Sequence, residues 1–339
     1  MCKLARQLQR ALSGQDLSPY MTLFYDVFNG DADGICALHQ LRLEQPQAAE
    51  LITGVKRDID LVARVKAAPG DEITVLDISF ARNAMAVEAA LDAGAKVRYF
   101  DHHYAGDLPG HRNLKVVIDT APDVCTSLLV DRHLEGRRRV WAVVAAFGDN
   151  LAGSAQSAAA SLHLAPHGLA QLQALGECIN YNAYGESVDD LNYHPADLYQ
   201  AISAYADPFA FIAGEPVFDI LQQSRADDLY LANEIVPETV DEYSAVYVLP
   251  DERWSRRVNG PFANQLALRH PSRAHAILTW CTGGFSVSVR APIEAPRGAD
   301  GLCRQFVGGG GREGAAGIDF LPTADLARFA DAFALTYRN

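Results

Sequence analysis

The chain has 339 residues, 49% of them hydrophobic, and a formal net charge of −13. That is enough apolar material for one large core or two smaller ones, so one or two folded domains are expected and disorder is not. The acidic balance argues against a protein that tracks along long nucleic acid, a mode that needs an excess of Lys and Arg to displace counterions, while a small anionic substrate held by metal and a few local cations stays compatible with it.

The six cysteines, Cys2, Cys36, Cys125, Cys178, Cys281 and Cys303, are scattered without a C-x-x-C pair, and most sit in apolar surroundings. They read as reduced thiols. The first residues lack the apolar core of a signal peptide, and no run is long enough to span a bilayer, so a soluble cytoplasmic protein is expected.

Leu4, Leu8 and Leu12, spaced by four with basic residues between them, suggest a short amphipathic helix of no assigned function. Tyr20 to Phe28 is rich in aromatic and β-branched residues and reads as a strand. It empties into Asn29-Gly-Asp-Ala-Asp-Gly34 before a helical pattern resumes at Ile35. In so tight a turn Asp31 and Asp33 can converge on one or two cations, with Gly30 and Gly34 letting the backbone bend. A capped helix start with Asp33 as N-cap explains the same residues without a ligand.

Ala49–Val55 reads as a second strand and Asp60–Lys66 as a polar helix. Glu72–Ser79 is a third apolar run, with Asp77 among Val75, Leu76 and Ile78; a buried carboxylate is costly unless paired or bound to a cation. A helix over Ala81–Ala93 leads to a strand from Ala95 that ends in Asp101, His102 and His103. Strand and helix alternate, which implies right-handed crossovers and a parallel sheet with carboxylates along one edge. A short strand (Leu114–Ile118) and a helix (Ser127–Leu134) follow. Thr126 and Ser127 at that helix start suit either a phosphate or plain capping. The apolar run Trp141–Phe147 closes on Gly-Asp149-Asn, where Asp149 is either a fourth acidic delivery or a turn former.

Each bland reading stands alone, but chance seldom places Asp31, Asp33, Asp77, Asp101, His102, His103 and Asp149 at the ends of successive apolar segments. Carboxylates with few imidazoles and no thiolates favour Mn²⁺ or Mg²⁺ over structural zinc, and their number suggests two ions.

In the remainder, the run from Gly176 to Glu186 is rich in amides and aromatics; Asn180, Tyr181, Asn182 and Tyr184 suit base contacts, although a packed helix end accounts for them more simply. Leu198–Ile212 and Asp219–Ala232 read as helices. Strands are expected at Ser244–Leu249, His275–Thr279 and Gly284–Arg290, with a helix at Phe262–Leu268. Arg256, Arg257 and Arg290 supply local positive charge, and alternation with Val287 and Val289 orients Arg290 as a phosphate clamp. Gly308–Gly311 offers consecutive unobstructed amides, suited to a phosphate or sugar, or simply a flexible loop.

The ordered set Asp31-x-Asp33, Asp77, Asp101-His102-His103 and Asp149 resembles the motifs of the DHH phosphoesterase superfamily. Ser286–Arg290 followed by Gly308–Gly317 resembles the substrate-binding C-terminal domain of its oligoribonuclease and RecJ-like members. The resemblance implies an α/β fold with a parallel-sheet catalytic domain (1–196), a helical connector (197–240) and a smaller α+β substrate-binding domain (241–339). It implies a Mn²⁺-dependent phosphoesterase with two ions, Mg²⁺ or Co²⁺ being alternatives. Asp77 would bridge the ions, Asp33, His102 and Asp149 would complete one site, and Asp31 would serve the other. Asp101 and His103 would act catalytically, by orienting a neighbour and by contacting phosphate or water. Arg290, Gly309, Gly310, Gly311 and Arg312 would hold substrate; Thr126 is a further candidate, and so is Asn29, as the nearest polar substitute for a His at position 27. The implied substrate is a short oligonucleotide or small nucleotide phosphate, not long duplex nucleic acid or a membrane, and a homodimer is compatible. Val27 stands where many members carry a His, and Arg312 where relatives often have one. The first departure keeps a non-catalytic nucleotide sensor open; a polyphosphatase or pyrophosphatase is the other alternative.

Overall fold

A computed structural model describes residues 22–338. The expected helix Leu4–Leu12 and the start of the strand expected from Tyr20 lie outside the described residues. Five strands, β1 (Phe24–Phe28), β2 (Glu50–Ile52), β3 (Glu72–Leu76), β4 (Lys96–Asp101) and β5 (Leu114–Ile118), form an all-parallel sheet in the order β2-β1-β3-β4-β5. Successive side chains on a strand point to opposite faces. Phe28, Leu76 and Phe100 therefore enter one core, while Val27, Val75 and Tyr99 enter the other. This two-sided burial is why the strands read as nearly continuous apolar runs.

From β1 the chain moves outward to β2 and then returns to β3 on the other side. The strand order reverses between β1 and β3, and the crevice beyond their carboxyl ends is where open α/β sheets bind ligands. The loops carrying Asp31, Asp33 and Asp77 are thus set side by side.

Helices α1 (Ala32–Glu44), α2 (Phe80–Asp92), α3 (Thr126–His133), α4 (Arg139–Gly148), α5 (Ala152–Ala159) and α6 (Pro166–Tyr181) surround this sheet. The run Trp141–Phe147 is apolar all round because the helix that contains it is buried along its length. Its end approaches its neighbours closely: a Cβ on Gly148 would lie 2.4 Å from Ala32 Cβ, and one on Gly176 would lie 2.1 Å from Val144 O. These two glycines let α4 abut α1 and α6, which brings Asp149 to the end of β1. The segment expected as a helix over Asp60–Lys66 holds only a single 3₁₀ turn, Val62–Arg64. Asn83 takes its backbone groups instead, accepting from Val62 N (3.2 Å) and donating to Ile59 O (2.7 Å).

The stretch after 195 forms three helices, not two: α7 (Pro195–Ser203), α8 (Pro208–Gly214) and α9 (Pro216–Asn233). Each opens with a proline, which fits a first helical turn and cannot continue a preceding one. Leu198, Ile202, Phe211 and Leu221 of this stretch pack into the first core.

A second, mixed sheet has the order β10-β11-β9-β8-β7-β6, built from β6 (Thr239–Val240), β7 (Ser244–Leu249), β8 (Ala274–Cys281), β9 (Gly284–Arg290), β10 (Gly309–Arg312) and β11 (Ala315–Pro322). Helices α10 (Arg253–Arg269), α11 (Ala299–Cys303) and α12 (Leu326–Tyr337) complete it. The helix expected from Phe262 begins nine residues earlier and runs through Pro261. Ser255, Val258 and Gly260 are buried on its inner face, so packing overrides the Gly-Pro break. The glycines read as an open run of amides form the edge strand β10. Two of their N–H groups are already used, Gly309 N donating to Phe306 O (3.0 Å) and Gly311 N to Asp300 Oδ1 (2.9 Å). Among the described residues no helix is long and apolar enough to cross a membrane.

His275 is fully buried on β8, and burial together with the charges of His270 and Arg273 lowers its pKa from the ordinary value near 6.5 to about 4. Between those values the unfolded chain takes up a proton that the folded chain refuses, so this residue removes stability as the pH falls. In urea titrations, the stability difference between wild type and His275→Met is expected to move by about 2 kcal/mol in the variant's favour between pH 7.5 and pH 5. A pH-independent difference would contradict it.

Candidate active site

The turn after β1 is built by its own acidic residues. Asp31 is the N-cap of α1; its Oδ1 accepts the N–H groups of Asp33 and Gly34, both at 3.0 Å. The cap is therefore Asp31, not Asp33, because only Asp31 has the extended backbone that turns its side chain onto the first helical turn. Gly30 and Gly34 do not adopt left-handed conformations. They are small because a Cβ on Gly30 would lie 2.0 Å from Gly54 O and one on Gly34 2.2 Å from Asn29 O.

Asp33 reaches across to the start of α3, where its oxygens accept Thr126 N and Ser127 N at 2.7 Å each. This uses the positive end of a helix to hold a carboxylate. Asp77 follows β3 at φ +60°, a left-handed conformation uncommon for a residue with a side chain, and accepts Thr126 Oγ1 at 2.9 Å. Thr126, expected either to cap or to contact phosphate, thus braces two of the acidic residues.

His102 Nδ1 lies 2.9 Å from Val124 O. A carbonyl only accepts, so Nδ1 carries a proton, and in the neutral ring the Nε2 lone pair faces inward. Nε2 lies 3.5 Å from Asp77, 4.0 Å from Asp33 and 4.0 Å from Asp149. Asp101 is completely buried. Its Oδ1 accepts His102 N (2.9 Å) and pairs with His103 Nδ1 (2.7 Å), while Oδ2 has no hydrogen-bond partner among the described residues. His103, with a side chain 45% exposed, is oriented by that bond. Burial disfavours its charged form, but the bond to Asp101 and the nearby carboxylates more than offset this and raise its pKa.

The cluster is short of positive charge. Burial, then the charges of Asp33, Asp31, Asp149 and Asp101, push the Asp77 carboxyl well above the usual range. Asp149 is raised as well, by burial and by Asp33 and Asp31 against the pull of Lys56. Asp33, His102 and Asp149 each present one ligand atom, all within 4.8 Å of one another, as do Asp77, His102 and His103. An imidazole lone pair fixed by a carbonyl on its other nitrogen, among buried carboxylates, fits a hard or borderline divalent ion.

Lys56 is absent from the residues that the sequence marked out. It follows β2, and its Nζ lies 2.5 Å from Asp31 Oδ2, 3.2 Å from Asn180 Oδ1 and 3.5 Å from Asp149 Oδ1. The signal was a basic pair, Lys56-Arg57, closing an apolar strand, without the spacing that announces a site. Asn29, offered as a polar substitute near position 27, is spent on the turn: Oδ1 accepts Asp31 N and Nδ2 donates to Lys56 O.

Lys56 also lines an open cleft of about 260 Å³ between the two sheets, together with Arg57, Tyr184, Arg256, Asn259, Ser286, Ser288 and Arg290. Arg290 donates to Asn264 Oδ1, Ser288 Oγ and Val289 O, and no carboxylate pairs with it among the described residues. Arg256 is paired with Asp190 and Asp251. Arg257 is tied into Asp228, away from the cleft lining. Gly317 of β11 lines the cleft, so Gly309–Arg312 on β10 lies one strand further out, and Arg312 is exposed at that edge. Of the aromatic and amide run, Asn180 and Tyr184 reach the site, whereas Tyr181 and Asn182 are buried and bonded within the protein.

No protein-family model and no curated protein sequence matches the chain. Solved structures do. A DHH-domain structure described as a member of the s1p family of ribosomal proteins superposes with a TM-score of 0.61 at 13% identity, over 93% of this chain and 86% of that one. The chain has the DHH-domain fold. RecJ from Thermus thermophilus in complex with Mn²⁺ matches with a TM-score of 0.60 at 16% identity, over 99% of this chain. The match covers only 54% of RecJ, so this chain spans about half of that protein's length. The pGpG-specific phosphodiesterase PggH from Vibrio cholerae matches with a TM-score of 0.54 at 14% identity, over 93% of this chain and 98% of that one.

Proposed function

We propose that the protein is a metal-dependent phosphoesterase, with a cytoplasmic location in keeping with its thiols, and that it hydrolyses short oligonucleotides or small nucleotide phosphates. The observation that carries the reading is the inward-facing His102 Nε2, within 4.0 Å of Asp33, Asp77 and Asp149 at the sheet's switch point. The fold shared with a Mn²⁺-bound RecJ and a pGpG-specific phosphodiesterase supports it.

Asp33, Asp77, His102 and Asp149 would hold Mn²⁺ or Mg²⁺. The ion, when bound, supplies Lewis-acid activation of water and of a phosphoryl oxygen. The protein's own groups do the rest. Asp101 fixes the His103 ring and favours its protonated form, so His103 can donate to a phosphoryl or leaving oxygen. Arg290, lacking a carboxylate partner, is free to pair with phosphate, and Arg57 adds charge at the cleft. Tyr184 offers a ring on which a base can stack.

A panel of dinucleotides, cyclic dinucleotides, 3'-phosphoadenosine 5'-phosphate, pyrophosphate and polyphosphate with Mn²⁺ tests the reading. Turnover is expected on the nucleotide members. Bound metal with no turnover on any of them would sink the enzyme and leave a nucleotide-binding sensor; turnover on pyrophosphate or polyphosphate alone would favour that alternative. On the best substrate, Arg290→Ala is expected to lower kcat/KM roughly 10- to 100-fold, the worth of a charge-assisted phosphate contact. Arg312→Ala, on the exposed edge strand, is expected to change it less than about 3-fold. The reverse ranking would return substrate binding to the glycine strand.

A further inference from the structure

We infer that the ammonium group of Lys56 stands in for the second divalent cation, so that the acidic centre binds one metal ion and not two. The inference rests on the metal-centre reading above and concerns the half of the site that contains Asp31.

Three observations meet there. First, the ammonium is saturated by the acidic centre: its three N–H donors face three acceptors, Asp31 Oδ2 at 2.5 Å, Asn180 Oδ1 at 3.2 Å and Asp149 Oδ1 at 3.5 Å. Second, Asp31 has little left to offer. One oxygen accepts two backbone N–H groups as the helix cap and the other accepts Lys56. Third, among the described residues no imidazole bonds to Asp31, and the second group of ligand atoms, Asp77 with His102 and His103, does not include it. Val27 is wholly buried, and its side chain lies in the core on the opposite face of the sheet from Phe28.

Lys56 is also held as a built part of the site. Its backbone N–H donates to Ala183 O (2.9 Å), its carbonyl accepts Asn29 Nδ2 (3.3 Å), and its Nζ stands 5.9 Å from the centre of the Tyr184 ring. These contacts come from the β1 turn and from the end of α6, so two other parts of the chain deliver the charge to one place. A dication bound by the buried Asp31 would sit against this partly buried ammonium, where like charges are less screened than at the surface. The other half is different: His102 Nε2 faces Asp33, Asp77 and Asp149 Oδ2, while Lys56 approaches only the other oxygen of Asp149, and this half keeps the features of a divalent site.

Mn²⁺ titrated into the metal-free full chain, followed by calorimetry and electron paramagnetic resonance, tests this without reference to activity. One ion per chain with a mononuclear spectrum is the expected result. Two ions with an exchange-coupled spectrum would overturn the inference and leave the phosphoesterase reading intact. No binding at all would overturn both. Lys56→Met and Lys56→Gln should admit a second ion with a coupled spectrum in at least one case. If both are folded by circular dichroism and still bind a single ion, Lys56 is not what excludes the second. Should neither variant fold, the count and spectrum of the wild type still decide against the inference if two ions appear.

Discussion

His102→Ala should lower metal-supported turnover by about 10³-fold or more, equivalent to at least about 4 kcal/mol of transition-state stabilisation. The reason is geometric. His102 Nε2 is the one imidazole nitrogen facing Asp33, Asp77 and Asp149, and its orientation is fixed by Val124 O on the other side of the ring. Without it, Asp33, Asp77 and Asp149 remain, but the lone pair they surround is gone. The substitution also leaves one backbone carbonyl short of a partner, which costs about 1–3 kcal/mol of stability and does not by itself abolish folding. Turnover with excess Mn²⁺, together with the Mn²⁺ affinity measured by calorimetry, distinguishes loss of the ion from loss of chemistry. Turnover near wild type would remove His102 from the site.

Asp228→Ala should destabilise the fold by about 3–5 kcal/mol in urea unfolding, because it leaves a guanidinium uncompensated in a nearly dry place. Arg257 holds Asp228 through two bonds, Nε to Oδ2 at 2.7 Å and a terminal nitrogen to Oδ1 at 3.0 Å, and donates to Asp190 O at 2.7 Å. Tyr181 also donates to Asp228. These residues come from α6, α9, α10 and the turn at Val188–Asp190, so the network ties the helices of the first unit to the second sheet. Replacing both partners by apolar residues, Asp228→Leu with Arg257→Met, should restore much of the loss, since burying a charge pair is itself costly. A double variant no more stable than Asp228→Ala would show that the network does more than cancel its own desolvation.

The strands and the acidic turns were legible along the chain because their signals are local. An apolar run with an Asp at its end states where a strand stops, whatever surrounds it; Asp33, Asp77 and His102 were found in this way. The same locality misplaced the cap, which depends on the backbone angles of Asp31, and it missed the helical run through Pro261, which burial of Ser255, Val258 and Gly260 sustains. Arg257 looked like substrate charge because the sequence does not show Asp228, 29 positions earlier, folding back onto it.

What the sequence determined on its own is the parallel sheet and the list of acidic residues and histidines at its edge, since periodicity and strand ends are properties of neighbouring residues. Tertiary structure alone decided which cations meet that edge. Lys56 reaches Asp31 across 25 positions and Asn180 across 124, so its place is set by the crossing of β1, β2 and α6. Arg290 faces the cleft while Arg312 lies at the outer edge of the sheet, a difference fixed by strand order. Charge acts through space, and a linear pattern carries no record of which distant side chains the fold will bring within a few ångströms of one another.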